Sequence, residues 1–335
     1  MSRTEQFLLG DRHVSNGGRG RAALHVGLVN NMPDSALRAT ELQFARLLKA
    51  ASGTLDVRLR LFSLGAIPRS EETRARMAGF YDEAGFLQAA DIDALIVTGT
   101  ASGPTDLRGE SFWPELTHLI DWAETGTLST LFSGSAAQAA VLHLDGIVRR
   151  PLAKKLSGVY DSTRVQDDPL FFNIAPGAPI PHCRRNDIAE RDLAAKGYRL
   201  LSRLNFDDGR GGQPDIFTRE PPGQSRFVFF QGHPEYDSGT LGREYLCDLG
   251  RFLGGETAER PALPEHYFDR ATEDRLAAMA GENDLARFQD IVAGALPCRM
   301  WCGNTIKLFG NWLNLVAAAK VRRASSRGVH TRRRA

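Results

Sequence analysis

The sequence predicts an α/β protein built on a doubly wound, mostly parallel sheet, followed by a C-terminal helical extension. Three observations lead there. Apolar strand patterns and helix patterns alternate from residue 23 to about residue 144, the rhythm of strands joined by crossover helices. Ala23–Val29 (ALHVGLV) and Ile92–Thr98 (IDALIVT) are nearly continuous apolar runs, as expected of strands covered on both faces. After Gly254-Gly255 the composition shifts, and helical patterns at about 272–280, 283–294 and 304–320 follow with no strand between them.

Taken in order, residues 1–21 are polar and Gly-rich and read as a flexible arm. The run Ala23–Val29 is a strand. Asp34 or Ser35 is placed to cap a helix to about Ala51, whose apolar side carries Leu37, Phe44, Leu47 and Leu48. Leu55–Phe62 alternates apolar and polar residues as a strand does, and Glu71–Ala90 reads as mostly helical. Gly99 ends the strand Ile92–Thr98, and a helix over Phe112–Thr125 has Pro114 near its first turn. Leu128–Ser133 (LSTLFS) is a further strand and Ser135–Leu144 an Ala-rich helix. From Val148 to Arg226 the pattern is weaker and reads as extended segments and loops, with Ile216–Arg219 and Arg226–Phe230 as paired strands. Thr240–Leu253 is a helix. The expected organisation is an arm (1–21), an α/β domain (22–255), helices packed on it (256–320) and a basic disordered tail (321–335).

The chain has 335 residues, 42% hydrophobic and 24% charged, enough for one large α/β domain plus an extension. A net charge of +2 argues against a body built to bind polyanions. Val321–Ala335 holds six arginines and no acid; it is expected to be solvated, with no nucleic-acid partner. Cys183, Cys247, Cys298 and Cys302 form no Cys-x-x-Cys pair or zinc-finger spacing, so no metal site is expected. No apolar run approaches the length needed to span a bilayer, and no secretory leader is visible. The expectation is a cytoplasmic protein with reduced thiols and no membrane contact.

Two turns carry candidate chemistry. Gln231-Gly232-His233-Pro234-Glu235-Tyr236-Asp237 follows the strand Arg226–Phe230 and precedes the helix Thr240–Leu253. His233 and Glu235 therefore fall at the carboxyl edge of the sheet, where ligand sites of open α/β folds form. A carboxylate beside an imidazole fixes its tautomer and supports its cationic form. The same residues are also ordinary turn formers. The second turn, Ser133-Gly134-Ser135, joins a strand directly to a helix, as a nucleophile elbow does. Gly134 suits a strained apex but has no side chain with which to attack; Ser133 and Ser135 have hydroxyls on either side of it. Lys154-Lys155 and the segment Pro181-His182-Cys183-Arg184-Arg185, expected in a loop, complete the candidates. The cationic neighbours of Cys183 would depress its thiol pKa.

Together these strings resemble the homoserine O-succinyltransferases. Asn30-Asn31-Met32-Pro33 with Thr40-Glu41-Leu42-Gln43 is similar to the family's opening, and Val97-Thr98-Gly99 to its strand end. Ser129-Thr130-Leu131 and Ala136-Ala137-Gln138-Ala139 flank the elbow as in the family. Lys155-Leu156-Ser157-Gly158-Val159, Pro181-His182, Gly232-His233-Pro234-Glu235-Tyr236-Asp237 and Asn311-Trp312-Leu313-Asn314 match further segments. The resemblance spans roughly residues 25–315. It implies a class I glutamine amidotransferase-like fold and a ping-pong transfer of an acyl group from acyl-CoA, here succinyl-CoA, to the hydroxyl of homoserine in methionine biosynthesis. It implies His233 as base and Glu235 as its orienting carboxylate. Lys155, Cys183, Arg184 and Cys247 fall at substrate-binding positions, and Gly103 where acyl selectivity is decided. It also implies a homodimer, small-molecule substrates and no bound cofactor.

Three positions depart from that pattern. Gly134 stands at the nucleophilic cysteine, Cys183 at a serine and Cys247 at a substrate-binding arginine. One reading is an acyltransferase with rearranged chemistry, in which Ser133, Ser135, Cys183 or Cys247 replaces the nucleophile or His233 activates the acceptor for direct attack. The alternative is a non-catalytic protein that keeps the pocket for binding or regulation.

Overall fold

The computed structural model describes residues 23–100, 106–206, 212–295 and 300–332. Its parallel half contains β1 (Leu24–Val29), β2 (Val57–Ser63), β3 (Tyr81–Glu83), β4 (Ala94–Val97), β5 (Ser129–Ser133) and β10 (Arg226–Phe230). Four antiparallel strands complete the sheet: β6 (Arg150–Arg164), β7 (Ala178–Asp187), β8 (Arg199–Leu204) and β9 (Gln213–Arg219). The order across the ten strands is β3-β2-β1-β4-β5-β10-β9-β8-β6-β7. The doubly wound expectation therefore holds for the half that bears the elbow. The weakly patterned stretch 148–226 supplies the antiparallel wing.

Alternation along each strand sorts the core into two faces. On one face Val29, Leu95, Val97, Phe132, Phe227 and Phe229 meet α3 (Trp113–Gly126) and α4 (Ser135–Asp145). On the other, Val26, Leu28, Ile96, Leu131, Val228 and Phe230 meet α1 (Asp34–Ala51) and α9 (Cys302–Arg332). A smaller core joins α6 (Thr240–Leu253), α7 (Arg270–Ala278) and α8 (Leu285–Ala293) around Tyr245, Phe288 and Trp301. The remaining short helices are α2 (Glu71–Met77) and α5 (Glu190–Ala195).

Beneath the site, Phe217 stacks on Phe229 with ring centroids 4.8 Å apart, and Phe132 stacks on Phe229 at 5.4 Å. Such pairs each add about 0.5–1.5 kcal/mol beyond burial. The first ties β9 to β10 and the second ties β5 to β10, the two strands whose ends carry the candidate chemistry, and the pairing register sets Ser133 opposite Phe230.

Several sequence expectations are corrected. The stretch 71–90 is not one helix: α2 stops at Met77 and Tyr81–Glu83 joins the sheet edge beside β2. The Tyr81 hydroxyl is the reason; it donates to the buried Glu41 carboxylate at 2.9 Å, a tertiary contact no local pattern reveals. Pro33, not Asp34 or Ser35, is the N-cap of α1; Asp34 instead accepts from the Ser70 amide at 2.9 Å. α9 does not end at residue 320 but runs to Arg332, through the stretch expected to be disordered. Between Val321 and Gly328 the sequence contains no helix breaker, and arginine and alanine are good helix formers.

The Asn311–Asn314 string is structural. Asn311 Nδ2 donates to the carbonyls of Leu170 (2.9 Å) and Phe172 (2.8 Å), and Trp312 Nε1 donates to Ser129 Oγ at 3.0 Å. This docks α9 on the start of β5. Asn311→Ala is expected to lower unfolding free energy by about 1–2 kcal/mol, because two carbonyls lose their donor. Urea unfolding followed by far-UV circular dichroism measures this; an unchanged midpoint would show that α9 docks without these bonds.

Candidate active site

The elbow is present. Gly134, with φ 61° and ψ −124°, is the N-cap residue through which β5 turns directly into α4. Its amide donates to the Phe230 carbonyl at 2.8 Å, so the apex is hydrogen-bonded to the end of β10. At the start of α4 the Ala137 amide donates to the Gly134 carbonyl at 3.1 Å, while the leading N–H groups of a helix in general lack an intrahelical acceptor. Gly99, at the end of β4, packs so closely that an added Cβ would lie 2.1 Å from Ser135 Oγ.

His233 arrives at the same point from the neighbouring strand. Its side chain is 14% exposed, and its amide donates to the Pro181 carbonyl at 2.8 Å. Nδ1 lies 3.0 Å from Glu235 Oε1. The carboxylate assigns the proton to Nδ1 and leaves Nε2 as the basic nitrogen. Tyr236 stacks on the imidazole at 4.4 Å and 9°, fixing the plane of the ring. A Cβ built on Gly134 would lie 2.6 Å from His233 Cε1 and 3.1 Å from Nε2. The imidazole thus occupies the approach that a side chain at 134 would need. The sheet brings residues 134 and 233, 99 positions apart in sequence, into one crevice.

The other candidate nucleophiles are committed elsewhere. Ser133 is 1% exposed and its hydroxyl donates to Glu235 Oε1 at 2.9 Å, so it supports the carboxylate. Ser135 Oγ accepts from the Thr100 amide at 3.2 Å and donates to the Thr100 carbonyl at 3.4 Å. Cys183 lies on β7, not in a loop. Alternation sends Arg184 to the opposite face, while Arg185 shares the face of Cys183 but its guanidinium lies against Asp248 at 3.8 Å, and the expected cationic depression of the thiol does not prevail. Burial instead pushes the Cys183 pKa up to about 12, against a lowering by Lys155. Cys247 is exposed on α6, its pKa raised by partial burial and by Glu244 and Asp248. Gly103 and Cys298 lie outside the described residues.

Lys155 forms a second cluster with Asp248, Glu244 and Cys183. Its Nζ is 2.5 Å from Asp248 Oδ2 and 4.0 Å from Glu244 Oε2, while the Cys183 thiol is 3.7 Å from Glu244 Oε2. Burial works against the ammonium, yet Cys183, Asp248 and Glu244 hold its pKa above the ordinary lysine value. Gly158 in the same motif has a packing role: a Cβ there would lie 2.4 Å from the Glu265 carbonyl.

Arg184, expected to touch substrate, is 7% exposed and turned inward. Its guanidinium donates to the Asn186 carbonyl (2.7 Å), Asp187 (2.9 Å) and Gln213 (2.5 Å). Its Nε donates to His182 Nδ1 at 3.4 Å. His182 Nε2 in turn lies 3.3 Å from Asp215 Oδ1, and both residues are fully buried. Asp215 also accepts from Ser162 and Ser202, while Asp187 accepts from Gln231 at 3.0 Å. This buried network lies directly beneath the turn, since a Cβ on Gly232 would meet His182 Nε2 at 2.6 Å. Sequence reasoning missed it. His182 and Arg184 spaced by two on a strand were the available signal, hidden once the segment was read as a loop. Gln43, from the opening motif, donates to Thr240 Oγ1 at 2.7 Å, and Thr240 donates to Asp237 at 2.8 Å, bracing the other end of the turn. Among the described residues no group of three or more His, Cys, Asp or Glu side chains is arranged to hold a metal ion.

Gly134→Ala tests the fit. The substitution adds strain at positive φ, of about 1–3 kcal/mol, and pushes on the imidazole. Turnover is expected to fall on the order of 100-fold, the usual result of a catalytic group misplaced by about 1 Å. Steady-state kinetics and a melting curve on the same sample separate the two effects; full activity would show that the imidazole does not work from this position.

An oriented imidazole over an elbow at the carboxyl edge of a parallel sheet, with helix N–H groups beneath it, is the apparatus of an acyl-transfer enzyme. Comparison with known proteins narrows that class. The chain belongs to the homoserine O-succinyltransferase family, whose model matches residues 6–322. A homoserine O-succinyltransferase of Rhodopseudomonas palustris is 45% identical over 317 residues, 92% of this chain and 93% of its own length. One of Methylorubrum extorquens is 46% identical over 301 residues, 88% and 87%. A solved glutamine amido transferase from Methylobacillus Flagellatus covers 88% of this chain and 96% of its own, at 12% identity and a TM-score of 0.49. No helix among the described residues is long and apolar enough to cross a membrane.

Proposed function

We propose that this chain transfers a succinyl group from succinyl-CoA to the hydroxyl of homoserine. His233 Nε2 takes the hydroxyl proton, Glu235 holds the ring through Nδ1, and the first-turn N–H groups of α4 receive the negative charge that develops on the acyl oxygen. The observation that carries the reading is the His233–Glu235 pair seated over the Gly134 elbow. Lys155, half-buried against Asp248 and held cationic, is the residue we assign to an anionic group of a substrate. Displacing Asp248 from it would release that charge for the ligand. Succinyl-CoA acts as co-substrate, and no bound cofactor is invoked. The working unit is proposed to be a homodimer, with no nucleic-acid partner and a cytoplasmic location.

The test is release of free CoA, read with a thiol reagent, from succinyl-CoA with homoserine. Release that requires homoserine, with O-succinylhomoserine identified by mass, is the expected result. Acetyl-CoA in place of succinyl-CoA tests the donor. Binding of both ligands without product would favour the non-catalytic reading.

A further inference from the structure

The elbow crest is occupied by a base instead of a nucleophile. Gly134 offers no attacking atom, and the space its side chain would enter is taken by His233, whose Cε1 lies 2.6 Å from the position of a Cβ. Real Cβ atoms do not tolerate that approach. The ring has little freedom to retreat, because Glu235 holds Nδ1 and Tyr236 covers one face. Among the described residues the neighbouring hydroxyls and thiol are not poised to replace the missing group. Ser133 is buried and bonded to Glu235, Ser135 is bonded to Thr100, and Cys183 faces Glu244.

We infer that the acyl group passes directly from the thioester to the acceptor hydroxyl within a ternary complex, with no acyl-enzyme intermediate. This rests on the transferase reading above and concerns the order of events at the same site. The hydroxyl proton goes to His233 Nε2 as the acceptor oxygen forms a bond to the thioester carbonyl carbon. The carbonyl electrons move onto oxygen, which faces the N-terminal turn of α4. On collapse the carbon–sulfur bond breaks, and the CoA thiolate takes the proton back from His233. One ester and one thiol replace one alcohol and one thioester, so the balance needs no further reactant.

Gly134 is a positioning element in this scheme. It lets the imidazole descend to the height of the elbow, where Nε2 reaches an acceptor oxygen held over the same N–H groups. Both substrates must then be present before any bond breaks.

Three measurements on the full chain test the inference. Initial rates with both substrates varied are expected to give intersecting double-reciprocal lines. Radiolabelled CoA incubated with succinyl-CoA and enzyme, without acceptor, is expected to exchange no faster than without enzyme. Intact-mass measurement after succinyl-CoA alone is expected to show unmodified protein. Parallel lines with acceptor-independent exchange and a mass adduct on any residue would overturn direct transfer while leaving the transferase intact. Absence of product with homoserine and every hydroxy amino acid tried would instead remove the transferase reading, and direct transfer with it.

Discussion

Replacing His233 with alanine is expected to lower turnover by about two to four orders of magnitude, the usual contribution of a positioned general base. The side chain is partly exposed at the mouth of the crevice, so the fold should survive the change. Its amide bond to the Pro181 carbonyl does not involve the ring. The loss should appear in kcat more than in KM, because the imidazole is asked to act on the proton in flight. Glu235→Gln should follow in the same direction with a smaller effect, since the amide can still hold the Nδ1 nitrogen but no longer stabilises the cation. Glu235 is buried and also receives the Ser133 hydroxyl, so its variant needs a melting curve alongside the kinetics. Rates for His233→Ala within a few-fold of the parent protein would remove the imidazole from the chemistry altogether.

The second large effect concerns stability. His182→Leu is expected to destabilise the protein by about 3–5 kcal/mol, the cost of leaving the buried Asp215 carboxylate without its partner. Asp215 would remain in the interior with two serine hydroxyls and a distant guanidinium. The variant should also lose part of the pH dependence. Burial lowers the His182 pKa from its ordinary value of 6.5, so the folded protein holds this imidazole neutral. The unfolded chain takes up a proton as pH falls below about 6.5, and stability declines from there downward. Burial works to raise the Asp215 pKa, but His182, Ser162 and Arg184 outweigh it and the result is lowered. Its contribution is present above the ordinary carboxylate range and fades as pH drops through the folded value. Urea unfolding at about pH 7.5 and about pH 5.5 should show a smaller difference for His182→Leu than for the parent chain. An equal difference would mean that this histidine is not held neutral in the folded state.

These predictions divide along the line between what periodicity reveals and what it conceals. The strands β1, β2, β4, β5 and β10 and the helices after them were legible because each buries a continuous face. Periods of two and 3.6 leave that face visible in the residue string. β6, β7 and β8 were read only as extended segments or loops, because polar residues interrupt their apolar pattern, whereas Ile216–Arg219 was read as a strand paired with β10 and forms the end of β9 that does so. His182 and Arg184 were hidden by the same limitation. Tyr81–Glu83 was read as helix because three residues paired at a sheet edge are specified by the Tyr81–Glu41 contact and not by their own propensities.

The sequence by itself determined that a histidine–carboxylate pair ends one buried strand and a glycine apex ends another, and it placed both at the carboxyl edge of a parallel sheet. It also determined the loss of the elbow thiol, a matter of residue identity. Only the tertiary structure decided that the imidazole stands in the space above that glycine, that Ser133 and Ser135 are engaged elsewhere, and that burial raises the Cys183 pKa despite the Lys155 ammonium beside it. Those outcomes depend on strand adjacency, pairing register and which face of β7 a side chain leaves from. Residues distant in the chain settle such matters through packing, and no local stretch encodes them.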